Sequence, residues 1–189
     1  MTDTDRWPVV PARWFTKTDP GAQRAVRVIV IHTMEAPEKS TTAEDVARYF
    51  ATTDTKASAH LCIDNDSIVQ CVMDRDVAWA APGCNSDGIQ IELAGTAAQS
   101  DAQWDDAYSR ALLNNGANAV AQYCLKYNVP VRHLTNTELK NGRKGIVGHV
   151  QVSTVYKKSD HQDPGKSFPW IRFLEQVTAF YDARKLRHA

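Results

Sequence analysis

The pattern of apolar and polar positions predicts two buried strands with histidine or carboxylate chemistry at their ends. The run at 26–32 is almost entirely β-branched and aliphatic, as in a buried strand, and it ends in His32. Residues 89–93 alternate strictly between aliphatic and polar. A strand with this period places Gln90 and Glu92 together on one face, opposite three aliphatic side chains.

A third apolar segment predicts a hairpin. Residues 59–63 and 68–72 are separated by Asp, Asn and Ser residues, which favour a turn. If Asp66 and Ser67 form a two-residue turn, Cys62 and Cys71 fall opposite each other. A disulfide between them is then geometrically possible, although a protein made in a reducing compartment is expected to keep its thiols free.

Helical periodicity appears between these strands and after them. Thr41 or Thr42 is suited to cap a helix that ends near Ala51. Longer amphipathic patterns predict helices over 102–127 and 168–184. Two less regular segments follow different patterns: residues 133–145 predict a short helical turn with a basic loop, and residues 150–167 predict a long polar loop. Interleaved strands and helices indicate the α/β class.

The length and punctuation of the chain predict a single domain. A chain of 189 residues is large enough for one well-buried core. Residues 1–24 are polar, interrupted by proline and rich in aromatic residues, so we expect an irregular arm that packs its aromatic side chains on the body. We assign the catalytic body to 25–184 and a short tail to 185–189.

Charge and hydropathy exclude several classes of function. The 22 Lys and Arg residues balance the 22 Asp and Glu residues, so no overall field would hold the protein on nucleic acid or anionic lipid. The longest apolar run, at 26–31, is too short to cross a bilayer, so we expect no membrane insertion. The first residues lack a basic start followed by an apolar stretch, which predicts synthesis in a host cytoplasm without a signal peptide.

Several residues have the chemistry of a catalytic metal site. His32 and His149 each end a short apolar segment, and Asp163 precedes a Pro-Gly pair. Two histidines and one carboxylate leave an open position on a tetrahedral Zn²⁺ ion, as catalytic sites require. Glu92 is suited to accept a proton from water, and His161 to donate a hydrogen bond to a developing oxyanion.

Each of these residues also has an ordinary structural explanation. A single histidine at a strand end is more often a satisfied structural residue, Asp before Pro is common in turns, and a strand Glu usually faces solvent. His32 and His149 are 117 positions apart in the sequence. No local motif links them, so spacing alone does not establish a metal site.

Five segments, taken together, resemble the zinc-dependent N-acetylmuramoyl-L-alanine amidases of the type 2 class, which includes the peptidoglycan recognition proteins. They occur in the family's order across nearly the whole body. The likeness is nearest to amidase domains of endolysins from phages of mycobacteria and related bacteria. The matching segments are VIVIHTME (28–35), SAHLCIDNDSIVQCV (58–72), VAWAAPGCNSDGIQIELAGT (77–96), IVGHVQVS (146–153) and SDHQDPGKSFPW (159–170).

The resemblance implies a central mixed β-sheet flanked by helices and a role for each candidate residue. His32, His149 and Asp163 match the three zinc ligands. Glu92 matches the acidic residue that acts on the attacking water, and His161 stands where relatives carry Lys or Thr to stabilise the intermediate. The implied reaction is hydrolysis of the amide between N-acetylmuramic acid and L-alanine in peptidoglycan, by a protein that we expect to be a monomer.

The resemblance also assigns substrate contacts and shows departures. His60 matches a histidine beside the substrate groove, and Trp79 keeps an aromatic position there. Many relatives have histidine where this chain has Ala80. The segment 150–162 between the second and third ligands is longer than usual. His161 replaces the usual Lys or Thr, and its imidazole is itself able to approach the metal.

Two other functions fit the sequence. The same fold without a working zinc site would be a non-catalytic muropeptide-binding module. Cys84, in a Pro-Gly loop, allows a cysteine-dependent peptidase, although no His in a recognisable local pattern follows it. Sensitivity to a chelator or to a thiol alkylator would distinguish these functions.

Overall fold

A computed structural model describes residues 7–187, which form a central five-stranded sheet, one small two-stranded sheet and six helices. The first six residues of the predicted arm and the last two of the predicted tail lie outside this range. The elements are β1 (Phe15–Thr16), β2 (Val28–Thr33), α1 (Thr42–Thr52), β3 (Leu61–Ile63), β4 (Ile68–Gln70), β5 (Val77–Ala78), β6 (Gly88–Leu93), α2 (Asp101–Trp104), α3 (Ala107–Tyr127), α4 (Asn136–Lys140), β7 (Gly145–Gly148), α5 (His149–Tyr156) and α6 (Trp170–Arg187).

The central sheet has the strand order β4-β3-β6-β2-β7. Strands β3, β6, β2 and β7 are parallel to their neighbours, and β4 pairs with β3 as the antiparallel arm of a hairpin. The sheet is therefore mixed, and the parallel strands carry their carboxyl ends to one edge. The predicted α/β fold with a central mixed sheet flanked by helices is confirmed.

The alternation in β6 decides what covers each face of the sheet. Ile89, Ile91 and Leu93 belong to the main core, which includes the buried side chains of α3 and α6. This core needs a close helix approach: a Cβ added to Gly116 of α3 would lie 3.1 Å from a methyl of Leu93 and 3.4 Å from the Phe173 ring. The opposite face, with Gln90 and Glu92, lies under α1, α5 and the loops between them.

The sequence predicted an irregular N-terminal arm, but part of this segment forms a strand. β1 pairs antiparallel with β5, with Phe15 opposite Ala78. Just before β1, the Trp14 ring stacks on Trp79 with centroids 6.5 Å apart. On another part of the body, Trp7 packs against Tyr123 at 5.8 Å. The expectation that the arm places aromatic rings on the body is confirmed for these residues.

The structure corrects three predicted helical boundaries. The helix expected over 102–127 is broken into α2 and α3, because Asp106 caps a new helix by accepting a hydrogen bond from the Ser109 amide. The segment predicted as a polar loop over 150–167 begins with the helix α5. The last helix, α6, continues through Arg187, so residues 185–187 extend it instead of forming a tail.

The hairpin has a longer turn than the two-residue turn considered above. Ile63 pairs with Ile68, which places Val69, not Cys71, opposite Cys62. The two sulfur atoms are diagonal neighbours 3.7 Å apart, and both cysteines are buried free thiols.

Candidate active site

Two of the candidate side chains come from adjacent strands. His32 of β2 and Glu92 of β6 are paired positions in the parallel ladder, one residue before the end of each strand. Both side chains leave the sheet on the face away from the main core. The strand ends therefore bring an imidazole and a carboxylate to the same edge of the sheet, where ligand sites of α/β proteins form.

The other two metal-site candidates arrive from α5 and the loop that follows it. Gly148 ends β7 beside β2, and His149 is the first residue of α5. The chain then returns, and the Val150 amide donates a hydrogen bond to the Asp163 carbonyl at 2.9 Å. This contact holds the Asp163 segment against the first turn of α5, with the Asp163 side chain facing both histidines.

His32, His149 and Asp163 converge on one point. The Nδ1 atom of His32 lies 3.1 Å from Oδ2 of Asp163, and Nδ1 of His149 lies 3.3 Å from Oδ1. The three ligand atoms all lie within 4.8 Å of one another, and all three residues are buried. The predicted convergence of these residues, separated by up to 131 positions (163 − 32), is present in the fold.

The electrostatics of this cluster depend on burial opposed by close partners. Burial disfavours a charge on His32, but the carboxylates of Glu92 and Asp163 outweigh it and raise the pKa of His32 to about 9. Burial lowers the pKa of His149 and raises that of Glu92 to about 7. Burial favours a higher pKa for Asp163, but the contacts of Asp163 with His149 and His32 outweigh burial and hold this pKa well below the ordinary range.

The side-chain set fits a divalent metal ion. Oε2 of Glu92 is buried without a hydrogen-bond partner among the described residues, and Nδ1 of His149, although 3.3 Å from Oδ1 of Asp163, lacks the geometry of a hydrogen bond to it. Buried polar atoms are rarely left unpaired, so both atoms point to a missing partner. Two imidazole nitrogens and one carboxylate are ligands that zinc prefers, and three protein ligands leave a position open for chemistry.

Two further residues contact the histidines on the side away from Asp163. Oε1 of Gln90 lies 2.9 Å from Nε2 of His32. The hydroxyl of Ser159 lies 3.3 Å from Nε2 of His149 and 2.7 Å from the Ser153 hydroxyl. The sequence did not single out Gln90 as a site residue, although the alternation of β6 places it on the same face as Glu92 and could have indicated it. Ser159, in a loop, carried no comparable signal.

A groove opens over the cluster. A cavity of about 400 Å³ reaches His32, Glu92 and Asp163, and an adjoining space of about 440 Å³ continues past Trp79 toward Lys56. The outer wall includes Val46, Tyr49 and Phe50 of α1 together with Ala57 and Ala80. The two spaces share Trp79, Ala80 and His161, so together they form one extended groove.

His161 lies at the mouth of this groove. Its ring stacks on His149 with centroids 4.2 Å apart, and its Nδ1 lies 3.4 Å from Oδ1 of Asp163. The His161 side chain is 57% exposed, unlike those of His149 and Asp163, at 2% and 6%. The imidazole is therefore available to a molecule bound in the groove.

The structure separates the two predicted substrate contacts. Trp79 lines both parts of the groove, and its indole nitrogen donates to the Thr16 hydroxyl at 2.9 Å. His60 is fully buried and is not brought to the groove. The Nδ1 atom of His60 accepts a hydrogen bond from the backbone amide of Gln90 at 2.9 Å, and its Nε2 lies 3.1 Å from the Asp76 carbonyl.

Cys84 does not have the environment of a nucleophile. Its side chain is fully buried in an apolar cluster with Val28 and Val147. Burial raises its pKa to about 11, so the thiol stays protonated at neutral pH. These observations argue against the cysteine-dependent peptidase.

The family profile for N-acetylmuramoyl-L-alanine amidases matches residues 22–166, which is most of the chain. The chain belongs to this amidase family. All of the converging residues of this family member, from His32 to Asp163, fall inside the matched segment. No curated protein gives a significant sequence match to the chain.

Solved structures share the fold of this amidase family member. The catalytic domain of XlyA superposes with a TM-score of 0.64 at 18% identity, covering 90% of this chain and 97% of that domain. The Staphylococcus aureus hydrolase AmiA, in complex with its ligand, gives 0.67 at 19% identity and coverages of 96% and 87%. The N-acetylmuramoyl-L-alanine amidase LysC from Clostridium intestinale gives 0.54 at 16%, with coverages of 90% and 97%.

Proposed function

We propose that the protein is a zinc-dependent peptidoglycan hydrolase that cleaves the amide between N-acetylmuramic acid and L-alanine. One observation carries the proposal: in a chain of the amidase family, two imidazoles and a carboxylate converge beneath an open groove with Glu92 beside them. His32, His149 and Asp163 would hold the zinc ion, which would supply Lewis-acid polarisation of an amide carbonyl and a lowered pKa of water.

Glu92 acts as the proton carrier of the reaction. Its carboxylate lines the groove beside His32, and one of its oxygens has no partner within the described chain. A general base works best when its pKa is close to the working pH. Burial raises the pKa of Glu92 to about 7, so its carboxylate accepts a proton from the attacking water and, once protonated, delivers it to the leaving amine nitrogen.

His161 stabilises the negative charge that develops on the carbonyl oxygen. Its exposed imidazole lies at the mouth of the groove, stacked on His149. A hydrogen-bond donor there strengthens its interaction as the oxyanion forms, which lowers the barrier. Trp79 and the α1 wall supply an apolar surface for the substrate along the groove.

Digestion of purified peptidoglycan tests the proposal. We expect wild-type protein to release intact stem peptides that begin with a free L-alanine amine, as identified by mass spectrometry. A chelator should abolish the release, and added zinc should restore it. Release of fragments that are cut within the stem peptide or the glycan would contradict the proposed bond.

The same assay distinguishes the enzyme from a muropeptide-binding module. A binding module would retain peptidoglycan in a pull-down but release no peptides, with or without zinc.

Within residues 7–187, no helix has the length and apolar character needed to cross a membrane. We propose that the protein acts as a monomer on the cell wall; its phage-lysin character stays a prediction.

A further inference from the structure

Gln90 has a fully buried side chain whose two polar atoms each have a fixed partner. Its Nε2 donates to the Cys84 carbonyl at 3.0 Å, and its Oε1 lies 2.9 Å from Nε2 of His32. A backbone carbonyl only accepts hydrogen bonds, so the amide nitrogen must face Cys84 and the amide oxygen must face His32. The orientation of the amide is thereby determined.

The amide oxygen in turn determines where His32 carries its proton. An acceptor 2.9 Å from Nε2 requires a hydrogen on that nitrogen. The lone pair of a neutral His32 is then on Nδ1, the atom that faces Asp163 at 3.1 Å within the three-residue cluster. The contact with Gln90 therefore selects the ring nitrogen that is offered to a metal ion.

The surrounding chain is arranged to hold Gln90 in this position. A Cβ at Gly88 would lie 2.8 Å from the Gln90 amide nitrogen and 2.3 Å from the Cys84 carbonyl oxygen, so the absence of a side chain at Gly88 leaves room for their hydrogen bond. The Gln90 backbone amide donates to Nδ1 of the buried His60 at 2.9 Å. The main chain and the side chain of Gln90 are therefore both held by hydrogen bonds.

The second imidazole has a less specific partner. Within residues 7–187, the hydrogen-bond partner of Nε2 of His149 is the Ser159 hydroxyl, at 3.3 Å. A hydroxyl can donate or accept, so Ser159 does not dictate which nitrogen of His149 carries the proton. Gln90 can only accept from His32 in the orientation described.

We propose that Gln90 is a positioning residue that fixes the Nε2–H tautomer of His32 and aims its Nδ1 at the metal site. The inference rests on the proposed zinc-dependent function. Partners of this kind orient a histidine ligand, and their loss typically weakens metal binding about 10–100-fold.

The test combines zinc affinity with a direct observation of the His32 proton. Zinc affinity is measured by competition with a chromophoric chelator, and the imidazole N–H of His32 is observed by ¹H–¹⁵N NMR of the zinc-loaded protein. We expect a protected Nε2–H resonance in the wild type. In the Gln90→Met variant, the His32 Nε2–H resonance should lose its protection. The variant should also bind zinc about 10–100-fold more weakly.

Two further variants isolate the acceptor. Gln90→Glu retains an oxygen acceptor and should keep the protected resonance. This variant also tests the inference if Gln90→Met does not fold. Gln99→Met removes another buried amide near the sheet edge, bonded to Glu38 and Ser109, and should leave both readouts unchanged.

The outcomes separate this inference from the proposed function. Wild-type zinc affinity and a protected resonance in Gln90→Met would overturn the role of Gln90 while leaving the zinc enzyme intact. An unprotected His32 Nε2–H in Gln90→Glu would also overturn it. Failure of the wild type to bind zinc would overturn both.

Discussion

His32 and Glu92 are directly paired positions on adjacent parallel strands, so the sheet itself sets their spacing. The pairing places a candidate metal ligand beside a candidate proton carrier without help from any loop. A mutation at either position therefore changes one chemical function while the other side chain keeps its place on the sheet.

Glu92→Gln is expected to separate catalysis from metal binding. The amide has nearly the same shape as the carboxylate but accepts no proton from water at neutral pH, so turnover should fall by roughly 10²–10⁴-fold. Zinc content should stay at the wild-type level, since Glu92 is outside the three-residue cluster. Peptide release and elemental analysis measure the two quantities. Glu175→Gln, on α6, is the matched control and should retain wild-type release.

His149→Ala is expected to lose both zinc and activity. The substitution removes one of three converging ligand atoms, and the remaining two hold zinc far less tightly. Elemental analysis after dialysis measures bound zinc, with His133→Ala as the control because His133 is outside the cluster. Equal zinc content in wild type and His149→Ala would remove His149 from the ligand set.

The buried His60 is expected to make stability depend on pH. Burial, together with the nearby charge of Arg24, lowers its folded-state pKa to about 3, against an ordinary value near 6.5. Between these values the unfolded chain binds the proton and the folded protein does not. Stability from this site is therefore complete above pH 6.5 and falls as the pH drops toward 3, by at most about 1.4 kcal/mol per pH unit.

Denaturant unfolding of wild type and His60→Asn measures this effect. The variant lacks the titrating group, so the difference in unfolding free energy between the two proteins should narrow from pH 6.5 to pH 4. A difference that stays constant over this interval would show that His60 titrates alike in the folded and unfolded states.

Trp14→Ala is expected to weaken substrate binding more than it slows the chemical step. Trp14 stacks on Trp79, which lines the groove, and such aromatic pairs contribute about 0.5–1.5 kcal/mol. Loss of the stack frees the Trp79 ring, so KM for a soluble muropeptide should rise several-fold with kcat nearly unchanged. Trp7→Ala removes an aromatic contact with Tyr123, away from the groove, and should lower stability without changing KM.

Several elements were predictable because their signals are local. The alternation at 89–93 determined the two faces of β6, and the β-branched run before His32 determined a strand that is buried throughout. Asn128 ends α3 in the left-handed conformation, as expected of a stop signal before Pro130. The motif order pointed to the amidase family, and the family match confirms it.

The predictions that were wrong concern α5 and the break between α2 and α3, and both features depend on contacts that helical periodicity does not encode. α5 was missed because its apolar residues show little helical periodicity, and the helix is stabilised by packing Val152 against residues of β2 and β7. The break between α2 and α3 depends on the Asp106 cap, and the Arg172 guanidinium from α6 contacts both Asp105 and the Trp104 carbonyl. Local periodicity contains no information about such partners.

The sequence by itself determined the strand faces and the α/β class, since these follow from side-chain type and period, and the resemblance of its motifs to the amidase family indicated the candidate ligands. Only the tertiary structure decided that His32, His149 and Asp163 meet, that Gln90 lies against His32, and that His60 is buried away from the groove. The physical reason is that residues far apart in the chain become neighbours through parallel strand pairing and loop return, which local composition does not encode.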